Sequence, residues 1–248
     1  MPAAHPQMQA ILDRAAAATG PALSSLEPDT ARKLDAEQFD AYWNADPPSL
    51  AAVTEHALSG ADGPIRTRLY DPGATKPAPC LVYFHGGGWV LGGLNSHDRV
   101  CRELALAGGM LVAAVDYRLA PEHKFPEPLA DCIAATRWLA SDGHSLGIDA
   151  ARLAVGGDSA GANLALATLL SLRDRRGPAQ ARAGVLVYGM FAADPRTPSH
   201  RKFGDGRYLL STEDTEWFWR CYLTHDEERD DPRAVPLRAQ LGGLPPLF

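Results

Sequence analysis

Four short apolar runs, at residues 80–84, 110–115, 153–155 and 184–188, recur along the chain with room for a helix between them. Such runs lack the polar alternation of a half-exposed strand, so they suit strands buried on both faces. Apolar residues at helical spacing mark 130–139 and 160–172 in the intervening stretches. Alternation of this kind predicts a largely parallel sheet with right-handed crossovers and helices on both faces, an α/β fold. Strict alternation over 65–70 predicts one further strand with a solvent-facing side.

The rest of the chain does not follow that rhythm. Residues 8–19 and 29–43 read as two short amphipathic helices split by Gly20-Pro21. Residues 189–238 form a stretch rich in Asp, Pro and Gly with one helix-like piece at 213–223. The expected division is therefore N-terminal cap helices in 1–50, a core in 51–189, a cap insertion in 190–238 and the start of a further part of the core in 239–248.

A formal charge of -6 and a pI near 5.7, without any basic block, exclude a nucleic-acid backbone as partner. No apolar run is long enough to span a bilayer. The first residues lack the basic flank and uninterrupted apolar stretch of a signal peptide, so a cytoplasmic location is expected. Cys80, Cys101, Cys132 and Cys221 are widely spaced and are expected as reduced, buried thiols.

Two motifs carry chemistry. Gly157-Asp158-Ser159-Ala160-Gly161 stands between an apolar strand and a helix, where a G-x-S-x-G turn exposes its serine at a helix N-terminus. His85-Gly86-Gly87-Gly88 follows another buried strand, and consecutive glycines can turn their N–H groups inward. Ser159 is the expected nucleophile, with Gly86, Gly87 and Ala160 as the expected oxyanion donors. Trp89, Asp158 and Tyr188 are candidate pocket residues. The aromatic cluster Trp217, Phe218, Trp219 and Tyr222 occupies more than one face of its helix, so burial of all four against a single neighbour is not expected.

With both motifs in this order the chain resembles the hormone-sensitive-lipase family of carboxylesterases, the bacterial family IV. The segment from Asp116-Tyr117-Arg118 to Phe125-Pro126 is similar to that family's third signature, and the likeness continues through Asn163, Asp231-Pro232-Arg233 and Leu244-Pro245-Pro246. The resemblance implies an α/β-hydrolase fold beneath a helical cap. It also implies a serine esterase that acts on short- to medium-chain acyl esters, a small-molecule substrate, without cofactor or metal; assembly as a homo-oligomer is a further expectation. Family order would put the triad acid about ten residues beyond Phe248 and the histidine about thirty further on. The chain as it stands is therefore expected to be a truncated form, inactive alone. His85, His97, His123, His200 and His225 are each expected in structural or surface roles. The rival expectation is a non-catalytic protein that binds an ester-like ligand on the same fold.

Overall fold

The computed structural model describes residues 5–17, 20–38, 43–175 and 180–248. Its centre is a six-stranded sheet in the order β1-β2-β4-β3-β5-β6. The strands are β1 Ala52–Gly60, β2 Gly63–Asp71, β3 Ala78–Phe84, β4 Leu111–Val115, β5 Ile148–Asp158 and β6 Ala183–Val187. From β4 to β6 neighbouring strands are parallel, as the apolar runs predict. The first two strands pair antiparallel with each other, and β2 is antiparallel to β4, so the sheet is mixed. β1 was not foreseen. It is an edge strand with Thr54 and Glu55 exposed and His56 half-buried; Leu58 alone is fully buried, so there is no apolar period to read.

Each buried strand divides its side chains between two cores. Cys80, Val82 and Phe84 of β3 join the cluster beneath α4 Glu127–Ser141 and α5 Ala160–Asp174, whereas Leu81 and Tyr83 face α3 Asp98–Gly108 with Cys101 and Ala105. The period of two along a strand makes that division obligatory. Each large apolar side chain so enclosed contributes roughly 1.5–3 kcal/mol. Among the cysteines, Cys80, Cys101 and Cys132 are buried thiols, and Cys221 is half-buried.

Both expected N-terminal helices are present as α1 Pro6–Ala17 and α2 Pro28–Gln38; the remainder of the expected spans, 18–19 and 39–42, lies outside the described residues. The later insertion carries α6 Pro198–Phe203 and α7 Thr212–Tyr222. A capping box closes the start of α7, with Ser211 and Asp214 each bonding the other's backbone N–H. Asp214 also accepts from the Ser24 N–H at 3.0 Å, joining α7 to the N-terminal region.

After Leu244 the chain runs beside β6 through an isolated bridge, with Leu247 and Phe248 exposed. The Gly184 and Leu186 N–H groups donate to the Pro246 and Phe248 carbonyls at 2.9 and 2.7 Å, the Phe248 N–H donates to the Gly184 carbonyl at 2.9 Å, and Leu247 bridges Gly184 in parallel. Among the described residues no helix is long and apolar enough to cross a membrane.

Candidate active site

At the end of β5 the chain reverses into α5, and Ser159 sits on the turn with φ 53° and ψ -118°. Positive φ is strained for a side chain with a Cβ and holds only where the surroundings enforce it. They do so here. The Ser159 N–H donates to the Val187 carbonyl at 2.9 Å, and the Ser159 carbonyl accepts from Met190 N–H at 3.2 Å. At Gly161, a Cβ would stand 2.0 Å from the Phe84 carbonyl oxygen and 2.6 Å from that of His85. The start of α5 therefore touches the start of the glycine loop, and only glycine permits that approach. Asn163, one turn further along α5, is fully buried and donates to the carbonyls of Met190 and Ala234 at 2.8 and 2.9 Å. That pair of bonds gives a structural reason for the neighbourhood of Asp231-Pro232-Arg233 to lie beside the turn.

The peptide planes of the glycine loop are fixed through their carbonyls. In a trans peptide the C=O and the following N–H point in opposite directions, so holding one aims the other. The Gly86 carbonyl accepts from His85 Nδ1 at 2.7 Å, which aims the Gly87 N–H. The Gly87 carbonyl accepts from the Val90 and Leu91 N–H groups at 3.1 and 2.8 Å, which aims the Gly88 N–H. Among the described residues neither N–H donates to a protein acceptor, and Ala160 as first residue of α5 leaves its own N–H free.

Gly86 was expected among these donors, and here the structure corrects the expectation. Its N–H is taken by Asp158 Oδ1 at 3.0 Å. Gly88 replaces it as the second loop glycine with a free N–H. Sequence alone could not choose between three successive glycines, because the choice depends on where the Asp158 carboxylate lies.

Asp158 is not a pocket residue either. Its carboxylate is buried and accepts from Tyr83 at 2.7 Å and from Tyr188 at 3.0 Å, and His97 Nε2 stands 3.3 and 3.4 Å from its two oxygens. Burial works against the charged form, but the bonds from His97, Tyr83 and Tyr188 outweigh it and hold the group at about 2. His97 joins this network from the end of the glycine-rich loop, with Ser96 Oγ 2.9 Å from its Nδ1. Its burial beside Asp158 departs from the surface or packing role expected of it only in adding that polar contact. His85 is stacked on Tyr117, whose hydroxyl donates to the His85 carbonyl at 2.7 Å, and burial holds its imidazole below the usual range, hence neutral.

Trp89 requires a second correction. It is fully buried, stacked on Tyr222 with ring centroids 4.3 Å apart and tilted against Trp219 at 4.5 Å, so it has no face to offer a ligand. Tyr188 stands apart from these buried groups: it has φ 40°, its hydroxyl is anchored on Asp158, and 74% of its surface is exposed beside the serine turn.

All four aromatic residues of α7 are buried, and not against a single neighbour. Several partners enclose the helix, which explains it: Trp89 on one side, Phe125 on another, and the turn at 23–25 on a third. The segment 116–126 braces this arrangement. Its Phe125 N–H donates to the Tyr222 carbonyl at 2.8 Å, Lys124 Nζ to that of Leu223 at 2.8 Å, and Arg118 forms a two-pronged pair with Asp131 at 2.8 and 2.9 Å.

Phe218 lies directly on the glycine loop. A Cβ at Gly88, where φ is 60°, would meet Phe218 Cδ1 at 2.0 Å. Gly88→Ala is therefore expected to destabilise the fold by about 2–4 kcal/mol, from overpacking together with a left-handed alanine. Urea unfolding of Gly88→Ala with and without Phe218→Ala measures this. If the second substitution recovers none of the loss, the ring does not rest on Gly88.

The chain that carries this serine turn and glycine loop resembles known proteins in sequence and fold. The family model described as alpha/beta hydrolase fold matches residues 81–248. This chain belongs to the α/β-hydrolase family. The α/β-hydrolase is 41% identical over 220 residues to an ethyl acetate hydrolase of Pseudomonas putida, covering 87% of this chain and 68% of that one. It is 36% identical over 213 residues to an acetyl esterase of Salmonella typhi, covering 84% and 64%. Across these and an esterase of Mycobacterium tuberculosis, the chain spans between 62% and 68% of the relatives' lengths. Among solved structures, a hyperthermophilic esterase from the archaeon Pyrobaculum calidifontis superposes with a TM-score of 0.92 at 36% identity, over 98% of this chain and 78% of that one. An ester hydrolase from the metagenome of Lake Arreo, complexed with a bipyridine phosphonate derivative, gives the same TM-score at 38% identity, over 98% and 78%. The resemblance to carboxylesterases of the hormone-sensitive-lipase type thus extends over most of the α/β-hydrolase.

Proposed function

We propose that this α/β-hydrolase is a carboxylic-ester hydrolase that works through an acyl-enzyme at Ser159. The observation that carries the reading is the strained Ser159 turn beside a glycine loop whose Gly86 and Gly87 carbonyls are held by neighbours, which orients the Gly87 and Gly88 N–H groups. Ser159 Oγ attacks the ester carbonyl carbon and gives its proton to a base. The carbonyl oxygen becomes an oxyanion, held by the N–H groups of Gly87, Gly88 and Ala160. Collapse of the intermediate breaks the ester C–O bond, the base returns the proton to the departing alcohol, and water releases the acid by the reverse sequence. The helices α2 and α7 act as a cap over this centre, with Tyr188 on its rim.

The base is not supplied by the imidazoles nearest the turn, since His85 and His97 are committed to Gly86 and to Asp158 with Ser96. A histidine oriented by a carboxylate, as in other serine hydrolases, completes the reaction.

The preferred substrates are short- to medium-chain acyl esters, supported by the names of the ethyl acetate hydrolase and acetyl esterase relatives and by the aromatic packing of Phe218 against Gly88. A series of p-nitrophenyl esters from acetate to palmitate, assayed with the natural full-length polypeptide, tests this. The specificity constant is expected to be highest for the shorter esters; highest turnover on palmitate would contradict the reading. Binding of the esters with no Ser159-dependent release of nitrophenol would favour a non-catalytic ligand-binding protein instead.

A further inference from the structure

Arg32 lies on α2, far in sequence from both motifs, yet all five of its N–H groups are used. Nε donates to the Val90 carbonyl at 2.8 Å and Nη2 to the Ala120 carbonyl at 2.8 Å. The remaining hydrogens bind Glu122 at 2.8 and 2.6 Å and Asp29 at 3.2 Å. Val90 and Ala120 are fully buried, so no solvent can take over at their carbonyls. They belong to one backbone unit, because the Ala120 N–H donates to the Trp89 carbonyl at 2.9 Å.

We propose that Arg32 is a positioning residue for the oxyanion hole, and that through it the cap helix α2 sets the direction of the Gly88 N–H. The path runs through one residue: the Val90 carbonyl is held by Arg32, the Val90 N–H holds the Gly87 carbonyl, and the Gly87 carbonyl shares a rigid peptide plane with the Gly88 N–H. The Glu122 carboxylate orients the guanidinium from the far side. Its pairing with Arg32 is close enough to hold Glu122 at about 2. Arginine suits the task because its planar fork can satisfy two carbonyls and a carboxylate together, which a lysine ammonium on a flexible stem cannot.

This inference rests on the esterase reading, and the experiment separates the two. In the natural full-length polypeptide, active sites are titrated with a phosphonate, and kcat per titrated site is compared for wild type, Arg32→Ala, Arg32→Lys and Glu122→Gln, with Ser159→Ala as blank. Amide hydrogen exchange of the peptide covering 86–91 is followed by mass spectrometry in the same set. Arg32→Ala is expected to lose roughly 10- to 100-fold in kcat per titrated site with little change in KM, as for a misaimed oxyanion donor. Exchange in 86–91 should quicken at the same time. Arg32→Lys should recover part of both, and Glu122→Gln, which keeps the carbonyl contacts but removes the charge that orients the guanidinium, should show a clearly smaller loss than Arg32→Ala. Misfolding alone would lower the number of titrated sites and leave the rate per site unchanged. Unchanged kcat per site and unchanged exchange in Arg32→Ala, or a loss in Glu122→Gln equal to that in Arg32→Ala, would overturn the inference. Absence of any Ser159-dependent turnover in the wild type would instead overturn the esterase reading, and the inference with it.

Discussion

Ser159→Ala in the natural full-length polypeptide is expected to lower ester turnover by a factor on the order of a million, because nucleophile and base act as a unit and removing one costs nearly as much as removing both. The fold should survive. The turn is held by backbone bonds from Ser159 to Val187 and Met190, and by the close contact of Gly161 with Phe84, none of which involves the hydroxyl. Among the described residues Ser159 Oγ makes no hydrogen bond of its own, so its removal leaves no buried group unpaired. A fluorophosphonate probe followed by peptide mass spectrometry should mark Ser159 in the wild type and nothing in the variant. Label on a different serine, or Ser159→Ala retaining wild-type turnover, would rule out the nucleophile assignment.

A polypeptide of residues 1–248 is expected to show a loss of similar size against a version extended to the length of its relatives, of which it spans 62% to 68%. All of the imidazoles lie among the described residues. His85 and His97 are buried in the glycine-loop and Asp158 networks, His123 bonds Glu127 at 2.8 Å, His56 bonds Thr54 at 2.8 Å and His200 bonds Thr212 at 3.1 Å. None hydrogen-bonds Ser159, and without a base the serine keeps its proton; what remains is the contribution of the oxyanion donors and of binding. Hydrolysis of p-nitrophenyl butyrate by 1–248 beside the longer form, each with its Ser159→Ala control, measures the difference. Equal Ser159-dependent rates would mean that a histidine of 1–248 reaches the serine after a movement of the cap, with His200 and His225 the first to replace.

The buried strands were legible in the sequence because a strand covered on both faces has no alternative but a continuous apolar run. β3, β4, β5 and β6 all coincide with such runs, and α4 and α5 with the helical period between them. β1 was hidden for the converse reason, since an edge strand that fully buries only Leu58 shows no apolar pattern. The aromatic residues of α7, spread over more than one face, require more than one neighbour, and only the fold names them as Trp89, Phe125 and residues 23–25. Arg32 left no signal at all. Its partners are two backbone carbonyls, which every residue possesses, and a glutamate ninety positions away.

What the sequence determined by itself is the chemistry that depends on local backbone: the parallel core, the strained Ser159 turn and the glycine loop, each specified by residues that are neighbours along the chain. Only the tertiary structure decided which N–H groups of that loop are free. Asp158, coming from β5, removes Gly86 from the set, while Val90 and Leu91 turn the Gly87 carbonyl so that Gly88 enters it. It also decided that Trp89 is core and Tyr188 surface. Those outcomes depend on which donor meets which acceptor across the fold, and hydrogen-bond partners brought together by packing are not written in the spacing of a motif.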